Sequence, residues 1–216
     1  MSIVDWIYPK MCVGCGREGE YICGRCQKKL VQPVPICPMC CDPSLDGWVH
    51  ARCSSRFSID RLLVGLPYRG LVQECLKKVK YKNSFDIIHF LYEQCKYPPI
   101  ALDLIVPIPM WKQKERERGY NQAKILAELI DGKKMDLLIR VRDTKPMFGL
   151  KKIERKLNVE GAFAISTDIS QSMQHTQINS VLLVDDVWTT GSTMIECAKE
   201  LKKLGIKNVW ALTLAR

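Results

Sequence analysis

No run of 18 or more apolar residues occurs in this 216-residue chain, so nothing in it reads as a membrane-spanning helix and no membrane insertion is expected. The first twenty residues also lack the clean apolar stretch of a secretory leader, because Asp5, Lys10 and Cys12 interrupt it. Acidic residues are in short supply. Asp+Glu number 23 against 33 Lys+Arg, and the resulting +10 favours nucleic acid, phosphates or an acidic partner surface, or else serves solubility alone. Apart from recurring cysteine pairs, no internal repeat or low-complexity tract stands out. These absences leave a soluble, cytoplasmic protein, long enough for one medium domain and a small accessory one.

What the chain does have is cysteine, and it is unevenly placed. Eight of the eleven fall within residues 12–53, mostly in close pairs, which points to metal rather than disulfides. Cys12 and Cys15, Cys23 and Cys26, Cys37 and Cys40, and His50 and Cys53 each hold two ligands separated by two residues. In such a knuckle the turn's N–H groups point at the sulfurs while both side chains reach one ion, and two knuckles complete a tetrahedral Zn²⁺ site with Zn–S distances of about 2.3 Å. Taken in order, Cys12, Cys15, Cys23 and Cys26 form an all-cysteine site, and Cys37, Cys40, His50 and Cys53 a three-cysteine, one-histidine site. Spacing alone is equally compatible with cross-pairing of knuckles, and Cys41 is a surplus thiol able to compete with Cys40. Four protein ligands per ion leave no open position, so both sites are structural. Metal binding is expected to fold this short segment, which has little core of its own.

Past Cys53 the composition changes, dividing the chain into a double zinc-ribbon domain over 1–58 and a larger domain over 59–216. IDRLLVGLPY reads as a strand, and LVQECLKKVKYK and FDIIHFLYEQC have helical spacing. LDLIVPIP is a strand stopped by prolines, and a helix begins near Asn121. MDLLIRV, AFAI, SVLLVDD and IKNVWALTLAR are strands, TKPMFGLKKIERKLNVEG a loop with a helical turn, and STMIECAKELKKLG a helix stopped at Gly205. This alternation predicts an α/β fold with a mostly parallel sheet and helices on both faces.

Ligands of such sheets bind at the carboxyl ends of the strands, where VLLVDDVWTTGST places its polar residues. Asp185 and Asp186 end the strand. Thr189, Thr190, Gly191, Ser192 and Thr193 form a loop opening the next helix, and its N–H groups and hydroxyls make an anion cradle that Gly191 lets a ligand approach closely. A phosphate loop alone gains nothing from two carboxylates beside it. A sugar phosphate does, because its hydroxyls donate to the carboxylates while its phosphate sits in the cradle.

VLLVDDVWTTGST resembles the phosphoribosyl pyrophosphate (PRPP) signature of type I phosphoribosyltransferases. With VPIPMWKQKERERGYNQA, TKPMFGLKKIERKLNVEGAF and the leading knuckles, essentially the whole chain resembles the competence protein F (ComF, GntX-like) family, which joins a zinc ribbon to that fold. The resemblance implies that Asp185 and Asp186 bind the ribose hydroxyls and residues 189–193 the 5′-phosphate. It sets the pyrophosphate loop at Met110, Trp111 and Lys112, and the family's arginine, glycine, aromatic, Asn, Gln signature at Arg118, Gly119, Tyr120, Asn121 and Gln122. It implies Mg²⁺ bound with PRPP, displacement of pyrophosphate from C1 by a nitrogen nucleophile, and Lys151, Lys152 and Arg155 in a basic lid over 145–156 that is otherwise a solvated loop. The acceptor is unspecified. The setting it implies is DNA uptake, with single-stranded DNA and the competence helicase as partners. A non-catalytic assembly factor using PRPP only as a signal is the alternative. Two positions depart from the family: Met147 where Gln is common, and His50 where Cys is common.

Other residues carry plainer expectations. His89 sits among the apolar residues of its helix, in the core or at its rim, and His175 lies in an exposed polar loop. Cys75, Cys95 and Cys197 are apolar fillers. Trp111 and Tyr120 flank the basic segment KQKERER and either stack nucleic-acid bases or pack on the sheet.

Overall fold

The computed structural model describes residues 10–82, 86–144, 149, 151–167 and 178–216. Its centre is a four-stranded, all-parallel sheet in the order β1-β6-β5-β2, built from β1 (Arg61–Leu66), β2 (Leu104–Pro107), β5 (Ser180–Val187) and β6 (Asn208–Ala215). Near-continuous aliphatic runs suit such strands because both faces are covered. Leu182 and Val184 face one core, and Val181 and Leu183 the other. A separate antiparallel hairpin pairs β3 (Leu138–Arg140) with β4 (Phe163–Ile165).

The first core is closed by α2 (Gly70–Lys82), α3 (Asp86–Glu93) and α5 (Gln122–Glu128), and the second by the hairpin and α7 (Ser192–Lys203). Helix α2 buries Val72, Cys75, Leu76 and Val79, a stripe of helical period, and Leu71 at its rim is half-buried. Helix α3 buries Ile87, Ile88 and Leu91, which turns His89 to solvent; its expected place in the core or at its rim is corrected accordingly. Helix α7 stops as expected, with Gly205 at φ 98° just past Leu204. Two further helices lie in segments that do not bury an apolar stripe. These are α4 (Lys112–Arg118) and α6 (Lys152–Val159), the latter two turns where one was expected. Their starts and ends are set by local bonds: the Gly119 N–H donates to the Glu115 carbonyl at 2.7 Å, and the Lys151 N–H to Glu154 Oε2 at 2.6 Å.

The ribbon segment, with its short helix α1 (Gly24–Gln27), straddles the β1 edge. Cys12, Ile22, Cys23 and Cys26 join the first core beside Val72 and Cys75, while Ile36 joins the second beside Ile59 and Leu62. The Val49 N–H donates to the Asp60 carbonyl at 2.9 Å, Trp48 bridges to Arg61, and a Cβ on Gly47 would meet the Leu62 carbonyl oxygen at 2.0 Å. Trp48 and Trp210 meet edge to face at 5.4 Å with the Arg61 guanidinium over both rings. At the opposite edge, Ile105 exchanges backbone bonds with Lys133 and Met135. Both rims of the sheet are thus partly covered, the usual protection against edge pairing.

Candidate functional site

The eight expected metal ligands form two groups. The ligand atoms of Cys12, Cys15, Cys23 and Cys26 lie within 4.8 Å of one another, as do those of Cys37, Cys40, His50 and Cys53. This is the in-order pairing of knuckles, with Cys41 outside both sets. The Cys23 N–H donates to Cys12 Sγ at 3.3 Å and the His50 N–H to Cys37 Sγ at 3.5 Å. His50 Nε2 lies 3.1 Å from the Pro43 carbonyl and must carry the proton there, which leaves the Nδ1 lone pair, 3.4 Å from Cys40 Sγ, for metal. In the first site, burial pushes the Cys12 thiol up, but N–H groups of Cys23, Gly14 and Cys15 outweigh it and hold Cys12 at about 6. Burial and the neighbouring thiols push Cys26 up to about 12. One thiolate therefore forms readily and the last is held back by its neighbours, a repulsion that a dication removes.

The second site stands where β2 and β5 end side by side. Pro107 is in register with Val184, and the Ile108 N–H donates to the Val184 carbonyl at 2.9 Å, so the turn carrying Met110 and Trp111 leaves the sheet beside Asp185. Asp185 and Asp186 are half-buried at the strand end, and Asp185 Oδ1 accepts from the Asp186 N–H at 2.8 Å. Gly191 caps α7 at φ 72°, in the left-handed region, and the Ile195 N–H returns to its carbonyl at 2.8 Å. Thr190 Oγ1 and Ser192 Oγ lie 2.8 Å apart. Asp185 and residues 187–194 line one small concavity. Larger hollows of about 570 and 560 Å³ lie elsewhere, along β1 and between the first ribbon and α2. Volume does not mark this site, because an anion is held by the N–H groups of a shallow turn.

Asn121 and Gln122 are buried and face protein. The Asn121 amide donates to the Ile108 carbonyl at 2.9 Å while its oxygen accepts the Ala123 N–H at 3.0 Å, so one side chain caps α5 and ties down the turn after β2. Gln122 Oε1 accepts from Arg118 Nη1 at 2.9 Å. The Tyr120 hydroxyl donates to the Val79 carbonyl of α2, and the ring is 8% exposed, so packing rather than base stacking is its role. Trp111, half-buried, precedes α4, and Lys112 is exposed. Lys151 is exposed and Arg155 half-buried, at and within α6. Residues 145–148 and 150 of the expected lid, Met147 among them, and His175 lie outside the described residues. Cys75 and Cys197 are fully buried, whereas Cys95 is partly exposed and its thiol donates to the Leu91 carbonyl at 3.1 Å. Burial pushes Cys75 up to about 12 and Cys95 to about 11, which disfavours the thiolate of each.

Comparison with known proteins fits this anatomy. The double zinc ribbon domain family matches residues 3–54. Competence protein ComFC of Bacillus subtilis (strain 168) is 33% identical, the alignment covering 93% of this chain and 86% of that one. The chain belongs to the competence protein F family. Competence protein F of Haemophilus influenzae is 28% identical over 95% of this chain and 90% of its own, and the DNA utilization protein YhgH of Salmonella typhimurium 26% over 90% of each. In this family member the ribbons are therefore two structural zinc sites joined to an α/β domain.

Three residues escaped sequence reasoning. Arg140 turns inward from β3, its guanidinium 5.4 Å from the Phe163 ring and donating to Thr144 Oγ1. Glu196, 8% exposed on α7, accepts the Gly161 N–H at 3.0 Å and pairs with Lys199 at 2.6 Å, fixing the end of α6 to the helix that opens with the cradle. The third is Trp188, 2% exposed, directly below Gly191. A Cβ at 191 would fall 2.2 Å from Trp188 Cζ2. Gly191→Ala combines this overpacking with a disfavoured φ and is expected to cost about 3 kcal/mol, lowering Tm by roughly 10 °C in a scanning calorimeter. An unchanged Tm would show that the loop yields freely.

Proposed function

We propose that the chain binds PRPP with Mg²⁺ at the carboxyl ends of β2 and β5, and that it does so in the cytoplasm as a phosphoribosyltransferase-like component of DNA uptake. The carrying observation is the adjacency of Asp185 and Asp186 to the turn at 189–193, with the turn after β2 next to both. The names of the relatives, competence proteins and DNA utilization proteins, support the setting. In the reaction, the bond from C1 to pyrophosphate breaks and a nitrogen forms the new bond to C1. Asp185 and Asp186 accept hydrogen bonds from the ribose hydroxyls and stabilise the positive charge that develops on the ring. Residues 189–193 hold the 5′-phosphate. Met110, Trp111 and Lys112 border the pyrophosphate, and Lys151 and Arg155 close over it and exclude water. Mg²⁺, when bound, neutralises the leaving group, and the carboxylate oxygens of Asp185 and Asp186 are the hard donors it requires.

Pyrophosphate release from PRPP, screened against nucleobases and other amines, tests turnover. Release with one amine class, lost in the Asp185→Asn variant, is the expected result. PRPP binding without release from any amine would instead make the site a ligand sensor within an assembly factor. The net charge of +10 supports contact with single-stranded DNA and, through it, with the competence helicase. The logarithm of that affinity is expected to fall with the logarithm of salt concentration by about 0.7 per phosphate contacted. Fluorescence anisotropy of a labelled oligonucleotide that is flat with salt would reduce the charge to a solubility feature.

A further inference from the structure

Trp188 follows β5 and is wrapped by the loop it precedes. Its backbone N–H donates to the Ala215 carbonyl at 2.8 Å, and the ring atoms Cζ2, Cη2 and Cε2 lie 2.2, 2.5 and 2.8 Å from where a Cβ on Gly191 would be. Nε1 is bonded to Cε2, so it sits beside the left-handed turn that opens α7. That nitrogen is fully buried and has no hydrogen-bond partner among the described residues. An indole N–H is a donor only, and a buried donor without an acceptor is costly. Trp188 is also among the residues that line the concavity, with Asp185, Val187 and residues 189–194. A hydrophobic side chain such as Leu or Phe could support Gly191 equally well without introducing an orphaned N–H.

Resting on the reading of this site as a sugar-phosphate site, we propose that Trp188 is the floor of the cradle and that its Nε1–H is a donor reserved for the phosphomonoester of the ligand. The ring holds Gly191 in its left-handed conformation, and the N–H supplements the backbone N–H groups and hydroxyls above it. The ligand class this selects is a pentose bearing a 5-phosphate, with or without a pyrophosphate at C1. Free pyrophosphate, which belongs at the turn after β2, gains nothing from it.

Titration calorimetry of the zinc-loaded full chain with ribose 5-phosphate, PRPP with Mg²⁺, and pyrophosphate with Mg²⁺ tests this. Trp188→Phe keeps a ring under Gly191 and removes the donor. It is expected to weaken ribose 5-phosphate and PRPP about tenfold, as for loss of a charge-assisted hydrogen bond, and to leave pyrophosphate unchanged. A second measurement needs no variant. In ¹H–¹⁵N spectra of the native chain, the indole signal slowest to exchange with solvent moves downfield on saturation with ribose 5-phosphate and stays in place with ribose. Wild-type affinity in Trp188→Phe, or an unmoved indole signal at saturation, overturns the proposal. A native chain that binds neither ribose 5-phosphate nor PRPP instead overturns the sugar-phosphate reading, and the donor role with it.

Discussion

Changing Asp185 and Asp186 together to Asn is expected to abolish the thermal stabilisation that the proposed binding of PRPP with Mg²⁺ would confer on the native chain at saturation. At a ligand concentration of a hundred Kd, binding to the folded state alone contributes about 2.7 kcal/mol, which for a chain of this size raises Tm by roughly 5–10 °C. Asn keeps the shape and one acceptor oxygen, so the Asp186 N–H that Asp185 accepts at 2.8 Å can still be satisfied. Both residues are half-buried at a strand end, and the unliganded Tm should barely move. The negative charge and one acceptor oxygen are lost, which weakens the hold on ribose hydroxyls and removes the attraction for Mg²⁺ and for a developing ribosyl cation. A double variant that keeps the full shift would relieve the carboxylates of ligand contact. A native chain with no shift at all would remove PRPP from the site.

Stripping zinc is expected to have the larger effect. In an appended ribbon, metal loss would melt a small domain and leave the main transition alone. Here Cys12, Ile22, Cys23 and Cys26 lie within the same buried cluster as Leu66, Cys75 and Leu76, and a Cβ on Gly14 would approach Leu71 to 3.0 Å. Structural zinc contributes on the order of 10 kcal/mol to folding a ribbon. Chelation should therefore lower the single unfolding transition by at least about 10 °C rather than split it. His50→Cys, which keeps four ligands, should be nearly neutral, whereas Cys26→Ser removes both a ligand and a buried core residue and should approach the stripped protein. A main transition unmoved after metal analysis confirms zinc loss would refute the shared core.

The parts legible in sequence were those written in short-range code. Knuckles need only two ligands three positions apart, and the parallel strands announce themselves as aliphatic runs. The turn from Asp185 to Thr193 is contiguous, so the nearness of its carboxylates, hydroxyls and glycine is visible in the sequence itself. Features set by distant neighbours were not legible. Helix α4 is nearly all charged, and α6 leaves its apolar pair at helical spacing, Ile153 and Leu157, exposed while burying only Val159 at its end. His89 falls between apolar neighbours in sequence but about 100° round the helix from Ile88 and about 160° from Ile87 and Leu91, the residues that are buried. Trp188 carries no role in the sequence reading, and Tyr120 is left between stacking and packing, because what each ring touches comes from another part of the chain. Asn121 and Gln122 were recognisable as a signature, yet their work within the protein, capping α5 and restraining the turn after β2, depends on the Ile108 carbonyl and Arg118.

The pairing of β1 with β6 bears on how the polypeptide is made. Asp60 and Val209 are joined across 149 residues, and among the described residues β1 pairs with no other strand. During synthesis the ribbons emerge before the α/β domain and can take up zinc by local contacts alone, while the apolar faces of β1 and α2 wait for β6 to leave the ribosome. Until then Leu62, Leu63 and Leu66 lack the neighbours that bury them, which is the condition under which nascent chains aggregate. A metal-closed ribbon lying over part of that strand would act as a temporary cover. Early zinc uptake would then govern the yield of folded protein, apart from its contribution to the finished fold.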